Sequence, residues 1–282
     1  MKKGFVLEGG AMRGLFTAGV MDAFLENDIV FDGVIGVSAG AVFGCNYLSK
    51  QKGRVLRYNT RFCREPAYCS LRSLIKTGDL YGREFCYEIV PESLEPFDTK
   101  TFTENPGEFW AVATDVDTGE AEYRKLNDLL GEEMDFLRAS ASMPIVSKAV
   151  EIGGHAYLDG GISDSIPLKA FQERGYERNV VVLTQPKEYV KGKMKLDPMM
   201  KAALHEYPAV YEALKTRPER YNEEKEYVFA QQEAGNAYVI YPPYKLPIGK
   251  IEHDANKMRA VYDIGFETGK NCIDEVKQFL NE

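Results

Sequence analysis

The segment Gly36-Val37-Ser38-Ala39-Gly40 has the form G-x-S-x-G. It follows an apolar run that reads as a strand and precedes a run that reads as a helix, the setting in which this pattern becomes a sharp turn exposing a serine hydroxyl at the sheet's edge. Flanking glycines permit backbone crowding that a side chain would forbid. The first amides of the following helix favour a developing negative charge. Ser38 is therefore the candidate nucleophile for acyl transfer; outside this setting the same letters describe only a glycine-rich helix start with a serine N-cap.

An earlier segment, Gly9-Gly10-Ala11-Met12-Arg13-Gly14, also lies between a strand and a helix. It is not a dinucleotide loop, because Ala11 stands where G-x-G-x-x-G needs glycine, and it is not a phosphate loop, because Leu15-Phe16 follows Gly14 where Lys-Ser/Thr is required. A nest of backbone N–H groups near a serine nucleophile suits an oxyanion hole. Gly10 and Ala11 are the candidate donors, with the Ala39 amide a third. Without a ligand the segment is a tight strand-to-helix turn. Arg13 has two readings, bonding the loop's own carbonyls or meeting an anionic head group.

A serine hydroxyl needs a base within hydrogen-bond reach. The chain has three histidines, His155, His205 and His253. The last two fall in a region without strand-end turns, and His155 sits close to a hairpin turn, so none is well placed. Asp159, in Asp159-Gly160-Gly161 at the end of a strand, is the better base: the glycines let the chain pass close to the other turns, and desolvation beside the serine raises its basicity. D-G-G alone is a turn signal.

The order of the three glycine-flanked segments resembles that of the patatin-like phospholipases, lipid acyl hydrolases with a Ser-Asp dyad. The resemblance covers about Gly4 to Leu183. It implies a three-layer α/β/α fold, Gly9 to Gly14 as the oxyanion loop, Ser38 as nucleophile and Asp159 as base, with no metal or organic cofactor. Ala139-Ser140-Ala141-Ser142-Met143-Pro144 is similar to the segment preceding the family's aspartate. One departure is Ala11, where family loops commonly carry a third glycine. The remainder is similar to the carboxy-terminal extension of the family's bacterial branch.

The elements needed to position these residues are legible. Gly4–Leu7 and Ile29–Ile35 read as buried strands, each followed by a glycine turn and a helix, Leu15–Glu26 and Ala39–Leu48. Two such units imply an α/β fold with a mostly parallel sheet flanked by helices. Asn59–Pro96 reads as short helices outside the sheet, and the phenylalanine, leucine and tyrosine residues of Arg61–Phe97 either line an apolar pocket or pack an ordinary core. Phe109–Asp115 and Ala121–Tyr123 read as strands, Leu126–Ala141 as a helix, and Val150–Leu158 as a hairpin through Gly153-Gly154 that delivers Asp159. A helix follows from Ile166 to Arg174, then a strand over Asn179–Thr184 and a polar linker from Gln185 to Pro198. Beyond it come helices, with one strand at Ala237–Tyr241. We expect a catalytic domain over 1–185 and a mostly helical extension over 186–282 packed on it.

The bulk properties agree with a folded chain: 282 residues, 44% hydrophobic and 28% charged. A net charge of −8 offers no broad attraction to nucleic acid or anionic membranes, so a membrane contact must be local and transient. Five cysteines with no C-x-x-C pair indicate neither a disulfide framework nor a zinc site, and point to a reducing, cytoplasmic compartment. Met1-Lys2-Lys3 imitates the start of a signal peptide, but Glu8 and Arg13 interrupt the apolar run. No stretch approaches eighteen apolar residues.

The expected activity is ester hydrolysis of acyl lipids through an acyl-enzyme on Ser38. Two rivals are a Ser-His-Asp esterase using His205 or His253, and a lipid-binding or regulatory module on the same fold without turnover.

Overall fold

The computed structural model describes residues 1–193 and 198–281. β1 (Lys2–Leu7) leads through the first glycine loop into α1 (Gly14–Glu26), and β2 (Gly33–Val37) leads through Ser38 into α2 (Ala39–Leu48). Outside the sheet follow α3 (Arg54–Phe62), α4 (Leu71–Thr77), a π-helical segment (Phe85–Leu94) and α5 (Thr99–Glu104). The chain returns through β3 (Glu108–Asp115), β4 (Ala121–Leu126), α6 (Glu132–Ser140), β5 (Val150–Ile152) and β6 (His155–Asp159). Next come α7 (Leu168–Glu173), β7 (Tyr176–Val182), α8 (Pro198–Ala203) and α9 (Pro208–Glu233). Finally there are β8 (Ala237–Ile240), α10 (Ala255–Asn271) and α11 (Ile273–Asn281).

Among the described residues these strands form one sheet in the order β5-β6-β3-β2-β1-β7-β8, with β4 on the second edge of β3. The five strands from β3 to β8 along that order are parallel, and β4, β5 and β6 run antiparallel to their neighbours. Burial on both faces explains why the central strands read as unbroken apolar runs. Side chains still alternate: Phe5 and Leu7 enter one core with Val180 and Val182, while Val6 and Val181 enter the other with Ile35 and Val37. Helices α1, α2 and α10 cover the first face; α7 and α9 contribute Phe171, Tyr221 and Val228 to the second.

Of the stretches that differ from the sequence expectation, two have a local cause. The helix expected from Leu126 begins only at Glu132, because the Glu133 carboxylate accepts the N–H groups of Asn127, Asp128 and Leu129 and holds them as a turn. The second strand begins at Gly33 rather than Ile29; the Asp32 carboxylate before it accepts the Lys3 N–H at 2.7 Å. Of the polar linker expected between Gln185 and Pro198, residues 194–197 lie outside the described residues.

Elements from beyond residue 185 are built into the sheet layers. β8 extends the sheet beside β7, and α10 crosses α1 closely. The crossing needs glycine: a Cβ on Gly265 would lie 2.0 Å from the Phe16 carbonyl, and one on Gly19 would lie 2.2 Å from that of Tyr262. The Tyr262 hydroxyl donates to the buried Asp22 carboxylate at 2.7 Å across the same contact. No helix among the described residues is long and apolar enough to cross a membrane.

Candidate active site

Ser38 stands between β2 and α2 with φ 54° and ψ −124°. A residue with a side chain rarely adopts that conformation, at a cost on the order of 1–3 kcal/mol, and it persists where the surroundings dictate it. Here they do. A Cβ on Gly36 would lie 2.4 Å from the Gly40 carbonyl, and one on Gly40 would lie 2.3 Å from the Leu7 carbonyl, so the turn is compressed between strand and helix.

Asp159 reaches Ser38 through the register of β3. Val37, the last residue of β2, pairs with Val112, and Asp159, the last residue of β6, pairs with Ala113. β4 occupies the opposite edge of β3 at Ala113, so β2 and β6 lie end to end along one edge, their C-terminal ends meeting. Gly160 then passes over the Val112 carbonyl, which a Cβ there would approach to 2.2 Å. The result is a Ser38 Oγ that donates to Asp159 Oδ2 at 2.7 Å.

The aspartate is held as well as placed. Its Oδ1 accepts the Gly161 N–H at 2.8 Å, its carbonyl accepts the Thr114 hydroxyl at 2.8 Å, and its N–H donates to the Ser142 carbonyl at 2.8 Å. Only 1% of Asp159 is exposed, and desolvation raises its pKa, opposed by the bond from Ser38, the charge of Arg217 and the Gly161 N–H. A carboxylate kept short of solvent yet within reach of a hydroxyl is a proton acceptor of raised affinity.

The first glycine loop packs against this pair. A Cβ on Gly9 would lie 3.1 Å from the Ser38 Cβ, and one on Gly14 would lie 3.0 Å from the Ala39 Cβ. Met12 is buried, and Arg13 is half-buried with its Nε lacking a hydrogen-bond partner among the described residues. Ala11 takes φ 48°, the left-handed region that favours glycine. The N–H groups of Gly10, Ala11 and Ala39 meet no acceptor among the described residues. They are free to bind an oxyanion.

A cavity of about 580 Å³ opens on Ser38, with Ala11, Met12 and Ala39 at its wall. Its far wall comes from the segment outside the sheet, through Tyr58, Leu80, Val90 and Phe97. Tyr58, Leu80 and Val90 are also buried core residues, so the aromatic and aliphatic side chains of that segment both pack the core and line the cavity. Among the described residues, no histidine lines it. His205 and His253 each place Nδ1 against a backbone carbonyl, of Ala202 and Cys63, and His155 lies 3.9 Å from Asp115.

Sequence reasoning did not single out Ser140, Thr114, Arg217 or Lys250. Ser140 is fully buried and its Oγ accepts the Ser38 N–H at 3.0 Å; the repeated serines of Ala139–Pro144 were the available signal. Arg217 of α9 donates from Nε to the Gly161 carbonyl and lines the cavity with Lys250. Nothing local marks either residue, since both come from the far C-terminal region.

Residues 5–171 match the model of the patatin-like phospholipases, and residues 207–281 match that of a domain of unknown function, DUF6363. The chain is 28% identical over 300 residues to the uncharacterized protein YjjU of Escherichia coli (strain K12), covering 98% of this chain and 78% of that protein. VipD from Legionella pneumophila is similar in structure with a TM-score of 0.45 and 14% identity, covering 97% of this chain and 67% of VipD.

Proposed function

The chain belongs to the patatin-like phospholipase family, and from that premise we propose that it is a serine lipid acyl hydrolase cleaving carboxylic ester bonds through Ser38 and Asp159. The observation that carries the reading is the 2.7 Å hydrogen bond from the Ser38 hydroxyl to a buried carboxylate at the wall of an apolar cavity. Asp159 takes the hydroxyl proton as Oγ attacks the ester carbonyl, and the amides of Gly10, Ala11 and Ala39 receive the oxyanion. Collapse of the tetrahedral intermediate expels the alcohol, which takes the proton from Asp159 and leaves an acyl-Ser38. Water then gives a proton to the same aspartate as it attacks the acyl carbonyl, and collapse of the second tetrahedral intermediate releases the fatty acid and expels Ser38 Oγ, which takes the proton back from Asp159.

The Gly161 N–H supports this assignment by anchoring one carboxylate oxygen while the other faces Ser38. An acyl chain suits the cavity, whose walls are largely aromatic and aliphatic. Transient contact with a lipid surface belongs to the same proposal: Ile145 and Ile251 line the cavity and are 50% and 44% exposed at its rim. A reducing, cytoplasmic setting belongs to the same proposal, since the five cysteines form no C-x-x-C pair.

The test is hydrolysis of a p-nitrophenyl ester series combined with fluorophosphonate labelling. Wild type should turn over and take up label at Ser38, and Ser38→Ala should do neither. Absence of label on wild type, under conditions that modify a known serine esterase, would end the enzyme reading.

A further inference from the structure

Glu8 stands between β1 and the first glycine loop, is only 1% exposed, and takes no part in the proton transfers proposed for Ser38 and Asp159. Its carboxylate is bound from two sides. Oε2 accepts the N–H of Thr184, just past the end of β7, and Oε1 accepts the Tyr221 hydroxyl of α9 at 2.8 Å. Among the described residues no cation lies within 4.0 Å of it. Burial pushes its pKa up, opposed by those two bonds and by the charges of Arg13 and Lys191. A carboxylate buried without an ion pair is costly, and an apolar side chain would fill the same space without that cost. The carboxylate does what an apolar side chain would not: it fixes the backbone of Thr184.

Thr184 is the floor of the glycine loop. Its hydroxyl donates to the Gly9 carbonyl at 3.4 Å, and a Cβ on Gly10 would lie 2.6 Å from its Oγ1 and 2.8 Å from its Cβ. Gly10 and Ala11 carry two of the three N–H groups that are free to bind the oxyanion. A continuous line of contacts thus runs from Tyr221 through Glu8 and Thr184 to those donors. Its far end is anchored, since Tyr221 is 2% exposed and its ring packs in the core of the second face. Tyr221 belongs to the region matched to a domain of unknown function.

We propose that Glu8 is a positioning residue for the oxyanion hole and that the C-terminal region holds it through the Tyr221 hydroxyl. This rests on the hydrolase reading above. It gives residues 207–281 an action on catalysis from behind the glycine loop. Glu8 and Tyr221 are both absent from the cavity wall, so the action falls on the donors and not on the acyl chain.

The experiment begins with Tyr221→Phe, which removes one hydroxyl and leaves the ring in the core. For a p-nitrophenyl ester kcat should fall by about tenfold to a hundredfold, with KM changing by less than about twofold. Glu8→Leu should lose at least as much. Glu8→Gln should lose less, about threefold, because its amide carbonyl can accept from Thr184 while its NH2 donates to the Tyr221 oxygen. Combining Glu8→Gln with Tyr221→Phe strands that NH2 and should bring back the full loss. Wild-type kcat in Tyr221→Phe, or equal losses in Glu8→Gln and Glu8→Leu, would overturn the proposal.

Hydrogen exchange in a Ser38→Ala background separates this proposal from the hydrolase reading, because it needs no turnover. The N–H groups of Thr184, Arg13 and Gly14 are bonded to the Glu8 carboxylate and to the carbonyls of Gly10 and Ala11. Tyr221→Phe should speed their exchange by about tenfold beyond any change in β2 and β3. Such a selective effect in a protein whose wild type proves inactive would support the link from Tyr221 to the loop while ending the hydrolase reading. An equal effect on the loop and on those strands would mean that Tyr221 stabilises the fold as a whole, and would refute the link even in an active enzyme.

Discussion

Ser38 and Asp159, 121 residues apart, are joined both directly and through a common support. The hydroxyl of one meets the carboxylate of the other at 2.7 Å. The backbone N–H groups of both are bound by one short segment, Ser140 accepting from Ser38 and Ser142 from Asp159. A segment that grips both backbones limits their relative motion, which matters because misplacement of about 1 Å can cost two orders of magnitude in rate. The six residues Ala139–Pro144 thus have a positioning role that their composition alone does not reveal.

The proposed nucleophile and base should behave as one unit. Ser38→Ala and Asp159→Asn are each expected to lower kcat for a p-nitrophenyl ester by about 10³-fold or more, and the double variant should be no slower than either single one. Steady-state kinetics on the three proteins checks this. Additive losses would mean that the two side chains act separately.

Ser140→Ala leaves the Ser38 N–H without its acceptor in a buried site. The expected loss is about 1–3 kcal/mol in stability. The expected fall in kcat is about tenfold to a hundredfold, with a smaller change in KM. Urea titration and steady-state kinetics read the two effects independently. A variant with wild-type kcat would show that the elbow holds its geometry without Ser140.

Burial raises the Asp159 pKa above the ordinary aspartate value of 3.8. The base must be ionised to act, so kcat/KM should fall as pH drops through that raised pKa. Arg217 opposes the rise, and Arg217→Gln should therefore move the acid limb to higher pH. The stability sign is opposite. A raised folded pKa favours the protonated form, so the contribution is present below the ordinary carboxylate range and lost as pH rises through the folded value. Asp159→Asn should accordingly gain stability over wild type as pH increases, measured by urea titration at pH 4 and pH 8.

Ala11 and Gly10 should respond in opposite directions. Ala11→Gly relieves the left-handed φ of 48° and is expected to stabilise by about 0.5–1 kcal/mol, the left-handed cost less the backbone entropy of glycine. Gly10→Ala drives a Cβ to 2.6 Å from the Thr184 hydroxyl. It should destabilise by about 1–3 kcal/mol and reduce activity through displacement of the loop. Thermal denaturation and ester hydrolysis on the pair provide the check.

Gly265→Ala tests the packing of the C-terminal region on α1. Its Cβ would lie 2.0 Å from the Phe16 carbonyl, a backbone atom that cannot step aside alone. A loss of about 1–3 kcal/mol in a single cooperative transition is expected, because α1 and α10 share one core. Two separated transitions would mean that the C-terminal region unfolds on its own.

What the sequence determined by itself is what short-range chemistry encodes. The G-x-S-x-G turn, the two strand, glycine loop and helix units, and the hairpin through Gly153-Gly154 are all legible because permitted backbone angles and burial periodicity are properties of neighbouring residues. The turn over Asn127–Gly131 reads as helix in the sequence because its stabilising contact, the Glu133 carboxylate, reaches backward to the N–H groups preceding it. Only the tertiary structure decided which distant residues meet. Asp159 faces Ser38 because Val112 and Ala113, adjacent on β3, pair with the ends of two different strands. Arg217 and Lys250 reach the cavity because β8 joins the far edge of the sheet and α10 closes on α1. Sheet register and helix crossing are set by packing summed over whole elements, and a stretch of sequence read alone carries no record of the surface it packs against.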